Sequence, residues 1–586
     1  MINMSKTQAI DEAVEQAFPA PGFRKYQREA ITEIVKGFTT EDKDLVLLNA
    51  PTGSGKSLVD FTASVASAED FFITTPLNSL VDQLEQDEFI GDKVITIKGR
   101  NNYDCIHEED EGTPVNEAIC QRKSSFECEI KEKCRYYGRK YEALGHPQVV
   151  TNMSYIMAEG MIPGDNEWSF GDRDVLVVDE CQKLEDFAMN FISFTVSKFT
   201  VPSNVWQNVE IPGEEVEDDM GELCKWLRNE VLGAVQDEID RLSLVPTLSK
   251  GENDDLEKMQ QFQLRVENFL QDVRDNDWVA HIQTQIRKNK DNIEKVSFKP
   301  VEIGRFLDDL LWSRGTKILL SSATIPGGSW LEEMGLGETS VKKVNVPSTF
   351  PVENRPIITD HSVGKMTKAK REDNMWDMAR KIQQIAMHHE GEKGFVHCRS
   401  YGIAKALKRS WTNHNEGTWA RNNVMVQDRY NREESLEQWQ NSDKPVFLSV
   451  AMDEGVDLDG DKCRWQALAK TLYKHMGDKR TRYRVLVRGQ CQVCDHSEEF
   501  WDKEIPNTCP NCGSSGFGGE WDWYNRHAAI QIQQAYGRAV RGPEDHAVFY
   551  ILDESAIGLI RRNAELFNTW FLEAVQDMKV DPERGN

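Results

Sequence analysis

No apolar run in the 586 residues is long enough to span a bilayer, and Met1 to Gln16 lacks the basic start and apolar core of a secretory leader. A cytoplasmic protein without helical membrane spans is therefore expected. A basic balance is missing too: 70 Lys and Arg face 97 Asp and Glu, for a formal net charge of -27. Nonspecific attraction to nucleic acid or to an anionic membrane is excluded as a driving force, so any nucleic-acid site must be a local basic groove. The acid excess suits the salt-rich cytoplasm of a halophilic archaeon or its virus, and equally an ordinary acidic protein. Length and a hydrophobic content of 39% allow several domains with more than one core.

What is present starts with the apolar run Leu45 to Leu48 followed by Ala50-Pro51-Thr52-Gly53-Ser54-Gly55-Lys56-Ser57 and a helix-compatible segment. A strand, a glycine loop and a helix start turn successive backbone N–H groups, and the positive end of a helix, toward one point. The ligand this suits is a nucleoside triphosphate, with Thr52 to Gly55 cradling phosphates, Lys56 reaching the outer ones and Ser57 giving its hydroxyl to Mg²⁺. Ala50 stands where the strict pattern has glycine. Upstream, Gln27 is a side-chain amide able to read an adenine edge.

The twelve cysteines are uneven. Cys105, Cys120, Cys128 and Cys134 are widely spaced; four thiolates hold either a tetrahedral zinc or an iron–sulfur cluster, and the absence of close C-x₂₋₄-C pairs leans toward iron and sulfide, with unligated thiols as a third reading. Cys491 and Cys494, then Cys509 and Cys512, are paired knuckles, the spacing of a structural zinc ribbon. Beside Cys134, the basic residues Lys133, Arg135 and Arg139 alternate with Tyr136, a mixture that fits a single strand stacking on aromatics or a solvated basic helix. Lys470 to Arg488, including Arg482 and Arg484, is the densest basic run, read as a phosphate-facing surface or a solvated hairpin.

Val175 to Val178 is a buried-type strand ending in Asp179-Glu180-Cys181-Gln182: Asp179 is the expected Mg²⁺ partner and Glu180 the base that activates water. From Lys183 to Trp312 the sequence is acidic and helix-favouring, with stripes such as Leu223, Leu227, Val231 and Val235. Lys317 to Leu320 resumes the sheet and runs into Ser321-Ser322-Ala323-Thr324. A second alternation of strands and helices follows, with Asp453 to Asp457 after one strand. Gln534, Gly537, Arg538 and Arg541 near the end are predicted to set two arginines on one helix face, able to stabilise charge on a transferring phosphoryl group.

In this order, the phosphate loop, Asp179 to Gln182, Ser322-Ala323-Thr324, Glu454 to Asp457 and Gln534-x-x-Gly537-Arg538-x-x-Arg541 resemble the motifs of superfamily-two helicases. Lys98 to Cys105, opening four cysteines before Asp179, resembles the XPD/DinG-like branch. The resemblance implies an α/β fold of two RecA-like parallel-sheet motor domains with an inserted iron–sulfur domain and a helical arch, and it implies ATP, Mg²⁺ and a [4Fe–4S] cluster on Cys105, Cys120, Cys128 and Cys134. The expected division is motor one in 1–100, 144–185 and 311–350, the iron–sulfur domain in 101–143, the arch in 186–310, and motor two in 351–586 with the Zn²⁺ ribbon at about 486–518. The implied activity is 5′-to-3′ DNA unwinding by a monomer on single-stranded DNA and duplex junctions, in repair or replication. Two other classes stand beside it: a translocase that remodels complexes without unwinding, and an interaction protein with a degenerate motor. Two departures mark this sequence: Cys181-Gln182 stands where the branch has Ala-His, and the second cysteine cluster is additional.

Overall fold

The computed structural model describes residues 2–122, 126–162, 168–201, 203–207, 209–287, 290–450, 458, 460–494, 496–501 and 503–576. Two parallel sheets organise the chain. The first has seven strands in the order Val341–Asn345, Leu45–Asn49, Gly315–Ser322, Arg173–Asp179, Phe71–Thr75, Gln148–Asn152 and Ile95–Ile97. The second has six: Ile357–Thr359, Val548–Ile551, Trp465–Leu468, Gly394–His397, Val446–Ser449 and Val424–Val426.

The apolar runs form central strands because both faces are covered. In the first sheet Leu45, Leu47, Leu176, Val178, Ile318 and Leu320 pack into one core, while Val46, Leu48, Val175, Val177 and Leu319 pack into another on the opposite face. The period of two thus sends neighbouring apolar residues to different helical layers, and a continuous apolar run satisfies both. Truncating one such leucine to alanine costs about 2–5 kcal/mol.

Between the strands ending at Asp179 and starting at Gly315 lies an insertion with its own core. The stripes Leu223, Leu227, Val231, Val235, Ile239 and Leu242, and Met259, Phe262, Val266, Phe269 and Leu270, are buried along successive helices. Ser249 starts the long helix Lys250–Asp272 with a reciprocal capping box to Glu252. The insertion is not wholly helical as expected. Phe194–Ser197, Lys290–Pro300 and Trp278–Arg287 form a three-stranded antiparallel sheet against the helices. Trp278, Ala280 and Ile282 face that core, alternating with Val279, which is buried in a separate small cluster, and with polar His281 and Gln283, a weak period-two signal inside a strongly helical composition.

A last small sheet, Ser497–Glu499, Arg488–Cys491 and Phe517–Gly518, is antiparallel and carries the second cysteine cluster. Among the described residues no helix is long and apolar enough to cross a membrane.

Candidate nucleotide site and cysteine clusters

The strand Leu45–Asn49 ends in the glycine loop, where Gly53 and Gly55 take φ of 84° and 75°, and the helix Lys56–Ser67 begins immediately after. The loop is held from behind. Gln27, buried, gives its amide N–H to Gly55 O (3.2 Å) and accepts the Arg24 N–H (2.8 Å), while the Arg24 guanidinium donates to Gly53 O at 3.2 Å. The Gln27 amide expected to read adenine is therefore committed to shaping the loop.

Lys56 Nζ lies 2.7 Å from Asp179 Oδ1 and also pairs with Glu180. Burial disfavours its charge, but the two carboxylates outweigh that and raise it above the usual lysine range. Glu180 sits just past the strand end with φ of 52°. Burial pushes its carboxyl up, and the Lys56 charge with hydrogen bonds from Lys56 and Gln182 overrides this, bringing it down to about 2. Burial pushes Asp179 up against the pull of Lys56. Asp60 lies one turn beyond Lys56, and burial, then the Asp179 charge, push it well above the carboxylate range. Sequence reasoning missed Asp60; the available signal was a carboxylate four residues after the loop lysine, on its helix face. Ser57 is exposed beside this cluster.

Gln182 joins two motifs. Its Nε2 donates to Glu180 Oε2 at 2.6 Å and its Oε1 accepts from Ser322 Oγ at 2.5 Å, while Ser322 Oγ also takes the Thr324 N–H at 2.8 Å. Ala323 O in turn accepts from Asn568 Nδ2 (2.8 Å) and Trp570 Nε1 (3.2 Å), and Asn568 Oδ1 accepts from Asn49 at 3.1 Å, one residue before the loop. Asn568 N donates to Gln533 Oε1 at 2.8 Å, tying this contact to the helix Trp521–Tyr536 of the second parallel-sheet domain. Neither Asn568 nor Trp570 belongs to a recognisable spacing, and only the fold brings them here.

That helix ends at Tyr536, so Arg538 and Arg541 lie in the turn after it rather than on one helix face as predicted; Gly537 caps the helix C-terminus and closes it. Gly537 and Val540, with Phe350 and Trp570, line a small cavity against Pro51 and Thr52, so the second motor's turn faces the phosphate loop. Gln534 is half-buried near the helix end and accepts from Gln531 at 3.3 Å. The segment Glu454 to Asp457 lies outside the described residues.

Cys105, Cys120, Cys128 and Cys134 line one cavity of about 270 Å³ with Val115, Ala118 and Ile130. Four short stretches between residues 105 and 134 converge there, and Cys134 immediately precedes the helix Arg135–Gly145. The second cluster is tighter. Among the described residues, the only group of three or more ligating side chains with all ligand atoms within 4.8 Å of one another is Cys491, Cys494, Cys509 and Cys512. Its sulfurs approach at 3.6 Å (Cys491 to Cys512) and 3.7 Å (Cys494 to Cys509). A zinc with Zn–S of 2.3 Å requires a tetrahedral edge of about 3.8 Å. The second cage fits one ion, whereas the four cysteines of the first set form no such close group.

The basic candidates divide. Lys133 and Arg135 are exposed, as is Arg482. Tyr136 is buried against Tyr103 and Tyr137 with its hydroxyl 3.3 Å from Tyr155, so it offers no stacking face. Arg139 donates to Thr96 O at 2.8 Å and pairs with Glu85. Arg484 does not face phosphate as its run was read to: its side chain is 3% exposed and paired with Glu520. Arg480 and Arg488 are buried in ion pairs as well. Arg480 and Arg484 lie on successive helical turns and Arg488 opens the strand that follows, and carboxylates neutralise all three.

Residues 382–573 match the family described as helicase C-terminal domain, and residues 21–198 match the type III restriction enzyme res subunit family. No curated protein matches the sequence. Among solved structures, one titled "XPD_Helicase" is 16% identical with a TM-score of 0.57, covering 92% of this chain and 98% of its own. Another, "XPD_APO", gives 16% identity, a TM-score of 0.53, and 91% and 97% coverage. The structure of S. tokodaii Xpd4 gives 14% identity, a TM-score of 0.52, and 96% and 99% coverage. The two family matches fall one on each parallel-sheet domain, and the fold shared with these structures spans both sheets and the insertions, so the chain has the fold of the XPD structures.

Proposed function

We propose that the protein is an ATP-dependent DNA helicase that moves 5′ to 3′ on single-stranded DNA, acting as a cytoplasmic monomer in repair or replication. The observation that carries the reading is the continuous contact from Lys56 through Glu180 and Gln182 to Ser322, closed from the other side by the turn at Gly537.

Lys56 is held by carboxylates that substrate phosphates would replace. As the ammonium turns to the phosphates, Glu180 loses the charge that keeps its pKa at about 2, and it becomes a better acceptor for the proton of an attacking water. Ser57 and Asp179 would hold Mg²⁺, which would supply charge neutralisation to the phosphates. Arg538 and Arg541, from the second motor, complete the site when the cleft closes, which makes closure a condition of turnover.

The first cysteine set suits a [4Fe–4S] cluster, because its four thiols line one cavity without the close approach that a single zinc requires; the cluster would tie four short segments into one domain. The second set suits Zn²⁺. Exposed Lys133 and Arg135 beside the first set are the candidates for meeting a phosphate backbone.

The deciding experiment is strand displacement by anaerobically purified protein on duplexes with a 5′ or a 3′ single-stranded tail, with ATP and Mg²⁺. Unwinding from the 5′ tail alone is expected. Unwinding from the 3′ tail alone overturns the polarity, and ATP hydrolysis without displacement replaces the helicase reading with a translocase.

A further inference from the structure

Arg480, Arg484 and Arg488 recur every fourth residue and all three side chains are buried, at 6%, 3% and 7% exposure. They form a ladder between the two motors. Arg480 donates to Glu185 Oε1 at 2.8 Å and to the carbonyls of Pro300 and Val301. Arg484 pairs with Glu520 and lies 3.8 Å from both Glu185 and Glu333. Arg488 reaches Glu302 (2.6 Å), Asp277 (3.3 Å) and Glu520 (2.5 Å). Glu185, Glu333, Glu302 and Asp277 belong to the first motor and its insertion, while Glu520 and the ladder belong to the second. Trp523 stacks under Arg484 at 4.4 Å and donates to Glu185 at 3.1 Å.

The two ends of this ladder reach two other sites. Glu185 lies three residues after Gln182, at the start of the helix Leu184–Ile192. At the far end, the strand Arg488–Cys491 carries the last rung as its first residue and a zinc-type ligand as its last. The ribbon is an excursion closed at its neck, where Glu520 N donates to Arg484 O at 3.0 Å. Its core consists of Cys491, Cys509 and Phe517. So small a unit needs a metal to hold its strands. Val493 N and Cys512 N point at the sulfurs of Cys491 and Cys509 (3.4 and 3.5 Å), the arrangement that supports thiolates on a metal.

We propose that Zn²⁺ held by Cys491, Cys494, Cys509 and Cys512 anchors the arginine ladder as a brace between the motors, and that Glu185 at its other end positions the nucleotide loop relative to motor two. The buried pairs are too costly to break in each cycle, so the motors turn about the brace while the cleft opens at the phosphate loop. The coupling role rests on the motor reading above; the metal site does not.

The test uses the full chain and three variants: Cys509→Ser with Cys512→Ser, Arg488→Gln, and Glu302→Gln on the half-exposed partner. Metal content, amide exchange and strand displacement per ATP hydrolysed are measured. The wild type is expected to carry one zinc beyond its iron. The double cysteine variant should lose it, together with amide protection over 478–491 and over the helix Leu184–Ile192. Arg488→Gln and, more weakly, Glu302→Gln should keep the zinc and lower displacement per ATP roughly threefold to thirtyfold. A wild type without zinc, iron in the ribbon, zinc loss with unchanged protection over both segments, or unchanged coupling in Arg488→Gln each overturn the brace. Absence of ATP hydrolysis in the wild type defeats the motor reading instead, and the metal and exchange results still decide the anchor.

Discussion

Ser322 Oγ gives its hydrogen to Gln182 Oε1 at 2.5 Å, and the same side chain passes one from Nε2 to Glu180. Glutamine here both accepts and donates without titrating, so Gln182 itself adds no pH dependence to the link between Glu180 and the Ser322-Ala323-Thr324 strand end. Gln182→Ala should leave the buried Ser322 hydroxyl without this partner, costing about 1–3 kcal/mol of stability by thermal denaturation. The larger expected effect is on strand displacement per ATP hydrolysed; equal falls in both rates would mean that Gln182 serves hydrolysis alone.

Lys56→Ala should abolish ATP hydrolysis while circular dichroism stays that of a folded chain, and Glu180→Gln should do the same. DNA-stimulated turnover surviving in either variant would remove both residues from their assigned roles.

Glu180 also predicts an acid response. Its folded pKa, about 2, lies below the ordinary glutamate value of 4.5 that an unfolded chain has. Its contribution is therefore full above about 4.5 and is lost as the pH falls toward about 2, because the unfolded chain takes up the proton first. Lys56→Ala should flatten that part of the stability profile between these limits. A profile unchanged by the substitution would show that the pair does not set it.

Asn568 reaches across the motors to Ala323 O and Asn49. Asn568→Ala should remove hydrogen bonds worth about 1 kcal/mol each and raise the KM for ATP more than it lowers kcat. Trp570→Phe, which deletes only the indole N–H, should act in the same direction and more weakly.

The exposed and buried arginines should separate in salt. Lys133→Ala with Arg135→Ala should weaken single-strand binding and flatten its dependence on KCl, as lost phosphate contacts do. Arg484→Ala should leave that slope alone and destabilise the fold by about 3 kcal/mol, because it takes one of two arginines from buried Glu520 and the neighbouring cation from Glu185 and Glu333. The salt series also tests whether the acid excess adapts the protein to molar KCl.

Much of the motor was readable along the chain because its signals are local. A run such as Val175 to Val178 is apolar on both faces wherever it sits, and a glycine loop between strand and helix needs only its own residues. The antiparallel strand Trp278–Arg287 was hidden because its alternation is diluted by flanking helical composition. Arg538 and Arg541 were placed one turn too early on a helix, since spacing alone does not reveal that Gly537 ends it.

By itself the sequence determined the two parallel sheets, the order of motifs and the residues of the phosphate loop, as all of these follow from local periodicity and turn chemistry. The tertiary structure decided which charges are buried. Arg480, Arg484 and Arg488 are cationic and regularly spaced in the sequence, but whether such a face meets phosphate, water or carboxylate depends on what packs against it. Glu185, Glu302 and Glu520 come from three distant segments. Only long-range folding brings them together, and only then does burial make each arginine's pairing obligatory.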